Sequence, residues 1–166
     1  VLVGNDNQER SIASVFPDIT DPRIRWIDHK TRRGYLLNVN ELINLAIGKY
    51  ITTLSDDDLL SPFYLEKMHH AITNHKSVNV VFSDYMIGAK YTNKISGHQA
   101  KAVELSGSEW VLGYTSLRYK TIGCYGVFKK SFLNFIGGPQ PLGINTNDSP
   151  YNDHVLALKA GLSDSV

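Results

Sequence analysis

The stretch YITTLSDDDLLSP, residues 50–62, decides the fold class of this chain of 166 residues. Residues 50–54 are mostly β-branched or aromatic, which predicts a strand. Three aspartates follow at once. Ser61 and Pro62 then have the residue types that begin a helix, with Ser as the N-cap and Pro at the first helical position. The stretch therefore predicts a strand, an acidic turn and a helix in direct succession.

Apolar periodicity predicts further strands and helices on both sides of that stretch. The predicted strands lie at 1–3, 23–27, 78–82 and 121–129, and the predicted helices at 10–16, 35–47, from Ser61 onward, 130–136 and 151–161. The residues expected to face inward are Leu36, Val39, Ile43 and Ala46 in one helix, and Leu65, Met68 and Ile72 in the next. Residues 88–107 are predicted to form loops or a hairpin, and residues 139–150 a loop. Alternating strands and helices predict an α/β fold with a mostly parallel sheet.

Composition limits the classes of protein that this chain can represent. Its hydrophobic residues make up 42% and its charged residues 20%, which is typical of one folded domain. A net charge of +1 gives no global field for nucleic acid, so no nucleic-acid partner is expected. A single cysteine, Cys124, excludes an internal disulfide framework and a multi-cysteine metal site.

The ends of the chain suggest that it is part of a longer protein. It opens on Val1 rather than Met, in what resembles the middle of a strand, and it stops soon after a helical stretch. No apolar run is long enough to span a bilayer, and no signal peptide precedes the first polar residues. We therefore expect a cytoplasmic location, with the full-length protein at the cytoplasmic face of the membrane.

Acidic residues follow two of the predicted strands. Asp6 lies in the turn after the first strand, and Asp56, Asp57 and Asp58 follow the strand at 50–54. Ligands of α/β sheets bind outside the carboxyl ends of the strands, so both turns can converge on one crevice. Carboxylate oxygens suit Mg²⁺ or Mn²⁺, but acidic residues also favour the start of a following helix. The position at a strand end favours the metal.

Other polar residues leave their interpretation open. Asp6 taken alone is typical of a turn, and Asp153 taken alone is typical of a first helical turn. A functional reading makes Asp153 a general base, with His154 beside it. The basic residues Lys30, Arg32 and Arg33 fit a phosphate-binding loop and a solvated loop equally well.

The order of these motifs resembles the family 2 glycosyltransferases of the GT-A fold. The resemblance is carried by DPRIRWI at 21–27, Gly34, Asn40, AIGKYI at 46–51, LSDDD at 54–58 and Pro62. It continues more loosely through YGVFKKS at 125–131 and IGG at 136–138, and NDHVLALKAG at 152–161 is similar to the family's acidic helix. It implies one partial GT-A domain over 1–166, with a nucleotide-sugar and metal half at 1–86 and an acceptor half at 87–166.

The resemblance implies a role for each candidate aspartate. Asp6 would contact the nucleotide base, and Asp56 the ribose or the metal. Asp57 would be the first metal ligand and Asp58 a second. Asp153 would be the base that deprotonates the acceptor hydroxyl. The implied reaction is inverting, Mn²⁺- or Mg²⁺-dependent transfer from a nucleotide-diphosphate sugar, most simply a UDP-sugar, to a glycan, lipid-linked or protein acceptor.

Several residues depart from the family pattern. Ser55 stands where the first acid of the D-x-D motif is usual, Asn152 where a Glu usually precedes the base, and Val39 where an Arg is usual. The family's first strand and helix have no counterpart in these residues, so an exposed sheet edge and self-association through it are expected. Two alternatives stay open: a domain that binds nucleotide without turnover, and a sugar-phosphate nucleotidyltransferase, which needs a Gly-rich phosphate loop.

Overall fold

The computed structural model describes residues 1–85, 87–88, 102–141 and 151–166. Its strands are β1 (Leu2–Asn5), β2 (Arg25–Asp28), β3 (Tyr50–Ile51), β4 (Val80–Val81) and β5 (Val127–Lys129). Its helices are α1 (Ile12–Val15), α2 (Tyr35–Leu45), α3 (Tyr64–Asn74), α4 (Gly107–Thr115), α5 (Lys130–Phe135) and α6 (Asn152–Lys159). Short 3-10 helices span Gly123–Tyr125 and Ala160–Leu162. Within these ranges no helix is both long and apolar enough to cross a bilayer.

The strands form two small sheets. β1 pairs with β2 in parallel, from Leu2 opposite Arg25 to Asn5 opposite Asp28. β5 lies between β3 and β4 and runs antiparallel to both, so β3 and β4 run in the same direction. The α/β class and a parallel pair are confirmed. The direction of β5 differs from the mostly parallel arrangement expected, because the residue pattern of a buried strand is the same in either direction.

Each sheet has a free edge in the part of the chain that the structure describes. β1 pairs there only with β2, and β3 only with β5. Backbone N–H and C=O groups on such an edge can pair with another strand. Self-association through an edge therefore stays a prediction.

One main core joins residues from both predicted halves of the chain. Val80 and Phe128 are buried in this core together with Ile43 of α2 and Leu133 of α5. On the α4 side, the Trp110 ring stacks on Phe82 at 4.4 Å between ring centroids. The Trp110 Nε1 donates a hydrogen bond to the Ala157 carbonyl at 2.7 Å, which satisfies its buried N–H and fixes α4 against α6.

Several predicted boundaries shift in the structure. The buried face of α2, with Leu36, Val39 and Ile43, is confirmed. The predicted helix start at Ser61 is wrong: the Ser61 carbonyl accepts the Tyr64 N–H in a turn, and α3 begins at Tyr64. This start gives α3 an inward face of Tyr64, Met68 and Ile72, so Leu65 is 59% exposed instead of buried.

The region before β5 also differs from its prediction. α4 was not predicted, although Ser106 and Glu109 form a capping box that the sequence spells out. The predicted strand at 121–129 is a 3-10 helix followed by the shorter β5. The predicted loops at 88–107 and 139–150 lie largely outside the described residues.

Candidate active site

The turn after β3 carries three exposed aspartates. The Asp58 N–H donates to the Ser55 carbonyl at 3.4 Å, and the Tyr125 hydroxyl donates a hydrogen bond to Asp58 Oδ2. Within the residues that the structure describes, the carboxylates of Asp56 and Asp57 accept no hydrogen bond from the protein. The turn is thus held through Asp58, and its other two carboxylates are available to a ligand.

The 3-10 helix Gly123–Tyr125 makes contacts with both this turn and α6. The Tyr125 hydroxyl contacts Asp58, and its carbonyl accepts a hydrogen bond from the Tyr64 hydroxyl of α3. Gly123 packs so closely on α6 that a side-chain carbon there would overlap the Asp153 carbonyl oxygen and lie 2.7 Å from the Ala157 nitrogen. A 3-10 helix rises only about 2 Å per residue. The 3-10 helix is therefore in contact with both the acidic turn and the start of α6.

Asp153 lies in the first turn of α6 and is half-buried. Its carboxylate makes no hydrogen bond within the described ranges, so it is able to accept a proton or a hydroxyl group. The helix N-terminus favours its negative charge. The structure thus places the Asp58 carboxylate and the Asp153 backbone against the same 3-10 helix, although the two side chains do not touch.

Asp6 differs from Asp56, Asp57 and Asp153 because its carboxylate is hydrogen-bonded within the protein. At the end of β1 its two carboxylate oxygens accept the N–H groups of Arg33 at 2.6 Å and Gly34 at 2.8 Å. Partial burial raises the pKa of Asp6, but these hydrogen bonds, with the nearby His29 and Arg32 charges, outweigh it, so the pKa lies below its ordinary value. Asp6 therefore ties the β1 turn to Gly34, the residue that begins α2 with φ of 76°.

Asp28 is a second carboxylate at this end of the sheet, and no sequence pattern marked it as a candidate. It accepts hydrogen bonds from the Ser11 hydroxyl at 2.6 Å, the Asn5 amide at 2.8 Å and the Ile12 N–H at 3.1 Å. These three hydrogen bonds, that of Ser11 foremost, hold the pKa of Asp28 below its ordinary value. Asp28 fixes the segment after β1 and leaves little capacity for a ligand.

The model of glycosyl transferase family 2 matches residues 1–133 of this chain. The chain belongs to this family. A protein of Methanocaldococcus jannaschii named as an uncharacterized glycosyltransferase is 35% identical over 63 residues, which are 38% of this chain. The aligned stretch spans 22% of that protein's length. The family match includes Asp6 and the Asp56–Asp58 turn and ends before Asp153.

The carboxylates of this family 2 chain fit one kind of metal site. In the described part of the chain no group of three or more His, Cys, Asp or Glu residues could hold a metal ion. The described residues therefore do not form a metal site in which every ligand comes from the protein. Mg²⁺ and similar cations commonly use one or two carboxylates together with substrate phosphates, and the exposed oxygens of Asp56 and Asp57 suit that arrangement.

The basic loop of the family 2 chain divides into paired and exposed cations. The Arg33 guanidinium lies 2.6 Å from a Glu41 carboxylate oxygen, and the same oxygen lies 3.9 Å from His29 Nδ1. Arg33 is therefore held in the protein by an ion pair. The Arg32 side chain is 78% exposed, with its Nε 3.9 Å from Asp6 Oδ2. Arg32 is the better placed of the two to meet a phosphate.

A groove of about 450 Å³ lies between β3 and α3. Its lining is mostly apolar and includes Tyr50, Leu65 and Val127, with Glu66 and His69 as the titratable members. None of the candidate aspartates lines it. The exposed side chain of Leu65 lines this groove, which is separate from the candidate site.

Proposed function

We propose that this chain forms the catalytic core of an inverting, metal-dependent glycosyltransferase. It takes a sugar from a nucleotide-diphosphate sugar, most simply a UDP-sugar, and transfers it to an acceptor hydroxyl. The supporting observation is the 3-10 helix Gly123–Tyr125, which contacts the Asp58 carboxylate at one end and the Asp153 backbone at the other. It gives the donor-side and acceptor-side carboxylates a common, rigid support.

In this proposal, Asp57 and Asp56 hold Mn²⁺ or Mg²⁺ together with the donor diphosphate. Asp58 supports the turn through Tyr125 and is the second candidate ligand, since a carboxylate has more lone pairs than one hydrogen bond uses. A cation held there would supply positive charge that stabilises the diphosphate as a leaving group.

Asp6 is proposed to accept an N–H from the nucleotide base. A carboxylate offers about four lone-pair positions, and the Arg33 and Gly34 N–H groups use two of them. The lowered pKa keeps this group ionised and therefore an acceptor only. Uracil presents a ring N–H on its pairing edge, and such an acceptor can bind it.

Asp153 is proposed to accept the proton of the acceptor hydroxyl. The acceptor oxygen then forms a bond to the anomeric carbon as the bond from that carbon to the diphosphate oxygen breaks. Attack comes from the face opposite the leaving group, so the anomeric configuration inverts. A base in this role must lie within hydrogen-bonding reach of the proton that it removes.

Calorimetric titration with UDP tests the donor site. We expect UDP to bind in the presence of Mn²⁺ and much more weakly without it. Asp57→Asn should weaken the Mn²⁺-dependent binding by about tenfold or more, as expected when a charge-assisted contact is lost. The matched control is Asp18→Asn, an exposed aspartate in the loop between α1 and β2. UDP binding that depends neither on Mn²⁺ nor on the Asp57 carboxylate would reject Asp57 as a metal ligand of the donor site.

A domain that binds the nucleotide without transferring sugar is the second candidate. It is favoured by Ser55 and Asn152, which stand where the family pattern has acidic residues. The two candidates differ in donor hydrolysis: a transferase releases the sugar slowly to water, and Asp153→Asn lowers that rate. Mn²⁺-dependent UDP binding without any hydrolysis or transfer would favour the binding domain.

A further inference from the structure

Three rings meet at the start of α6, and the proposed function uses none of them. The His154 ring lies 5.9 Å from the Tyr151 ring and 6.0 Å from the Tyr114 ring, measured between centroids. The Tyr114 hydroxyl and His154 Nδ1 are 2.5 Å apart and hydrogen-bonded. Tyr114 is buried in the main core on α4, whereas Tyr151 and His154 are exposed.

The Tyr114 hydroxyl fixes how His154 can bind a ligand. Since Nδ1 is engaged by Tyr114, Nε2 is the ring nitrogen that can meet a group from outside the protein. Within the described residues no hydrogen bond involves this Nε2. His154 therefore presents one polar atom, held in place from the core, next to the proposed base Asp153.

Tyr151 has a backbone conformation that is unfavourable for its residue type. It adopts the left-handed region, with φ of 69° and ψ of 13°, where Gly or Asn would be less strained. Its side chain is 61% exposed, so burial offsets little of that strain. Strained residues of this kind cluster at ligand sites. The ring face of Tyr151 is thus presented beside His154 without an evident role in folding.

An exposed aromatic face beside a fixed polar atom matches the chemistry of a sugar ring. One face of a pyranose carries C–H groups that pack on an aromatic ring, and its edge carries hydroxyl groups that form hydrogen bonds. A Tyr side chain offers such a large, rigid surface.

We infer that the acceptor is a carbohydrate whose ring packs on Tyr151 and whose hydroxyl group bonds His154 Nε2. The proposed base Asp153 occupies the adjoining position of α6. The inference rests on the proposed function for the role of Asp153. It selects a glycan acceptor over a protein hydroxyl.

Saturation-transfer NMR with a panel of simple sugars tests the inference directly. The probes are the methyl β-glycosides of glucose, galactose, mannose and N-acetylglucosamine, with glycerol as a polyol that lacks a ring. We expect at least one glycoside to bind and glycerol not to bind. Tyr151→Ala should weaken glycoside binding by about tenfold, and Tyr151→Phe, which keeps the ring, should retain it.

Phe135→Ala is the matched control for loss of an exposed ring. Phe135 is 75% exposed on α5. Because β5 is antiparallel to β3 and β4, α5 begins at the sheet edge opposite to their carboxyl ends. This variant should bind glycosides as the unmodified chain does.

Variants of the histidine pair test the positioning role. His154→Ala should weaken glycoside binding by about fivefold, the loss expected for one hydrogen bond. His154→Gln, which keeps an N–H donor, should restore part of it. Tyr114→Phe keeps the buried ring and removes only the hydroxyl, and it should weaken binding by a smaller factor than His154→Ala.

The inference and the proposed function fail in different ways. Mn²⁺-dependent UDP binding is measured on the same samples and should be unchanged in Tyr151→Ala. Loss of UDP binding in the unmodified chain contradicts the proposed function. UDP binding with no glycoside binding across the panel, or glycoside binding that Tyr151→Ala leaves intact, overturns the carbohydrate inference alone.

Discussion

The two acidic regions of this domain use the same side chain for different purposes. At the end of β1 and β2, the carboxylates of Asp6 and Asp28 together accept five hydrogen bonds from the protein. In the turn after β3, Asp56 and Asp57 accept none within the described residues. Position at a strand end is therefore not enough to identify a reactive carboxylate. The carboxylates that we propose as reactive include Asp56 and Asp57, whose oxygens accept no hydrogen bond within the described residues.

The largest expected effect concerns Asp153, the proposed base. Asp153→Asn removes the proposed base while keeping the shape of the side chain, so sugar transfer should fall by about 10² to 10⁴. UDP binding with Mn²⁺ should not change, because Asp153 is assigned to the acceptor. Steady-state transfer rates and calorimetry check the two halves of this expectation. Full transfer by Asp153→Asn would remove Asp153 from the mechanism.

The next effect concerns the support between the two carboxylate sets. In Gly123→Ala the new methyl group overlaps the Asp153 carbonyl, so α6 must shift. Overpacking of this kind costs about 1 to 3 kcal/mol of stability. Thermal melting should show the loss, and transfer should fall more than UDP binding does.

Gly48→Ala is the control for that substitution. A methyl group on Gly48 meets only the Tyr50 carbonyl oxygen, at 3.1 Å. Its melting temperature should fall much less. Equal losses in the two variants would show that the contact between Gly123 and α6 has no special importance.

A smaller effect is expected from Tyr125→Phe. This variant keeps the ring but removes the hydroxyl that donates to Asp58. The turn with Asp56 and Asp57 should become less ordered, and Mn²⁺-dependent UDP binding should weaken by about fivefold, the worth of one hydrogen bond. Calorimetric titration of both proteins measures it. Unchanged affinity would mean that Asp58 is not what positions the turn.

The smallest expected effect concerns Asp6 and Asp28, at the end of β1 and β2, and it depends on pH. The pKa values of Asp6 and Asp28 are lowered in the folded state, so these groups stabilise the fold above their ordinary value of 3.8. That stabilisation is lost as the pH falls through the depressed pKa values. Asp28→Asn should make melting less sensitive to acid below about pH 4, whereas the exposed control Asp18→Asn should not. An unchanged acid profile in Asp28→Asn would argue against its hydrogen-bonded role.

Local patterns predicted those parts of the fold that local residues determine. The inward face of α2 follows from the spacing of Leu36, Val39 and Ile43, and the structure buries all three. The capping box of Ser106 and Glu109 was equally readable and was missed. The direction of β5 could not be read, because it depends on which strands pair and not on the residues of one strand.

The candidate site also contains residues that the sequence pointed to and residues that it did not. The sequence pointed to the aspartate triplet through its position after a strand, and it pointed to Asp57 and Asp153 in particular only through the family resemblance. It did not point to Tyr125, which contacts Asp58 across 67 positions of the chain, or to Asp28, whose partners come from β1 and the segment after it. Such contacts arise only once the chain is folded.

The most direct test of the contrast between the two regions is electron paramagnetic resonance of Mn²⁺ titrated into the protein with UDP. The signal of free Mn²⁺ reports how much of the cation is bound. The account predicts that the unmodified chain and Asp28→Asn both bind Mn²⁺ with UDP at neutral pH, and that Asp57→Asn does not. Retained Mn²⁺ binding in Asp57→Asn, or its loss in a folded Asp28→Asn, would contradict the account.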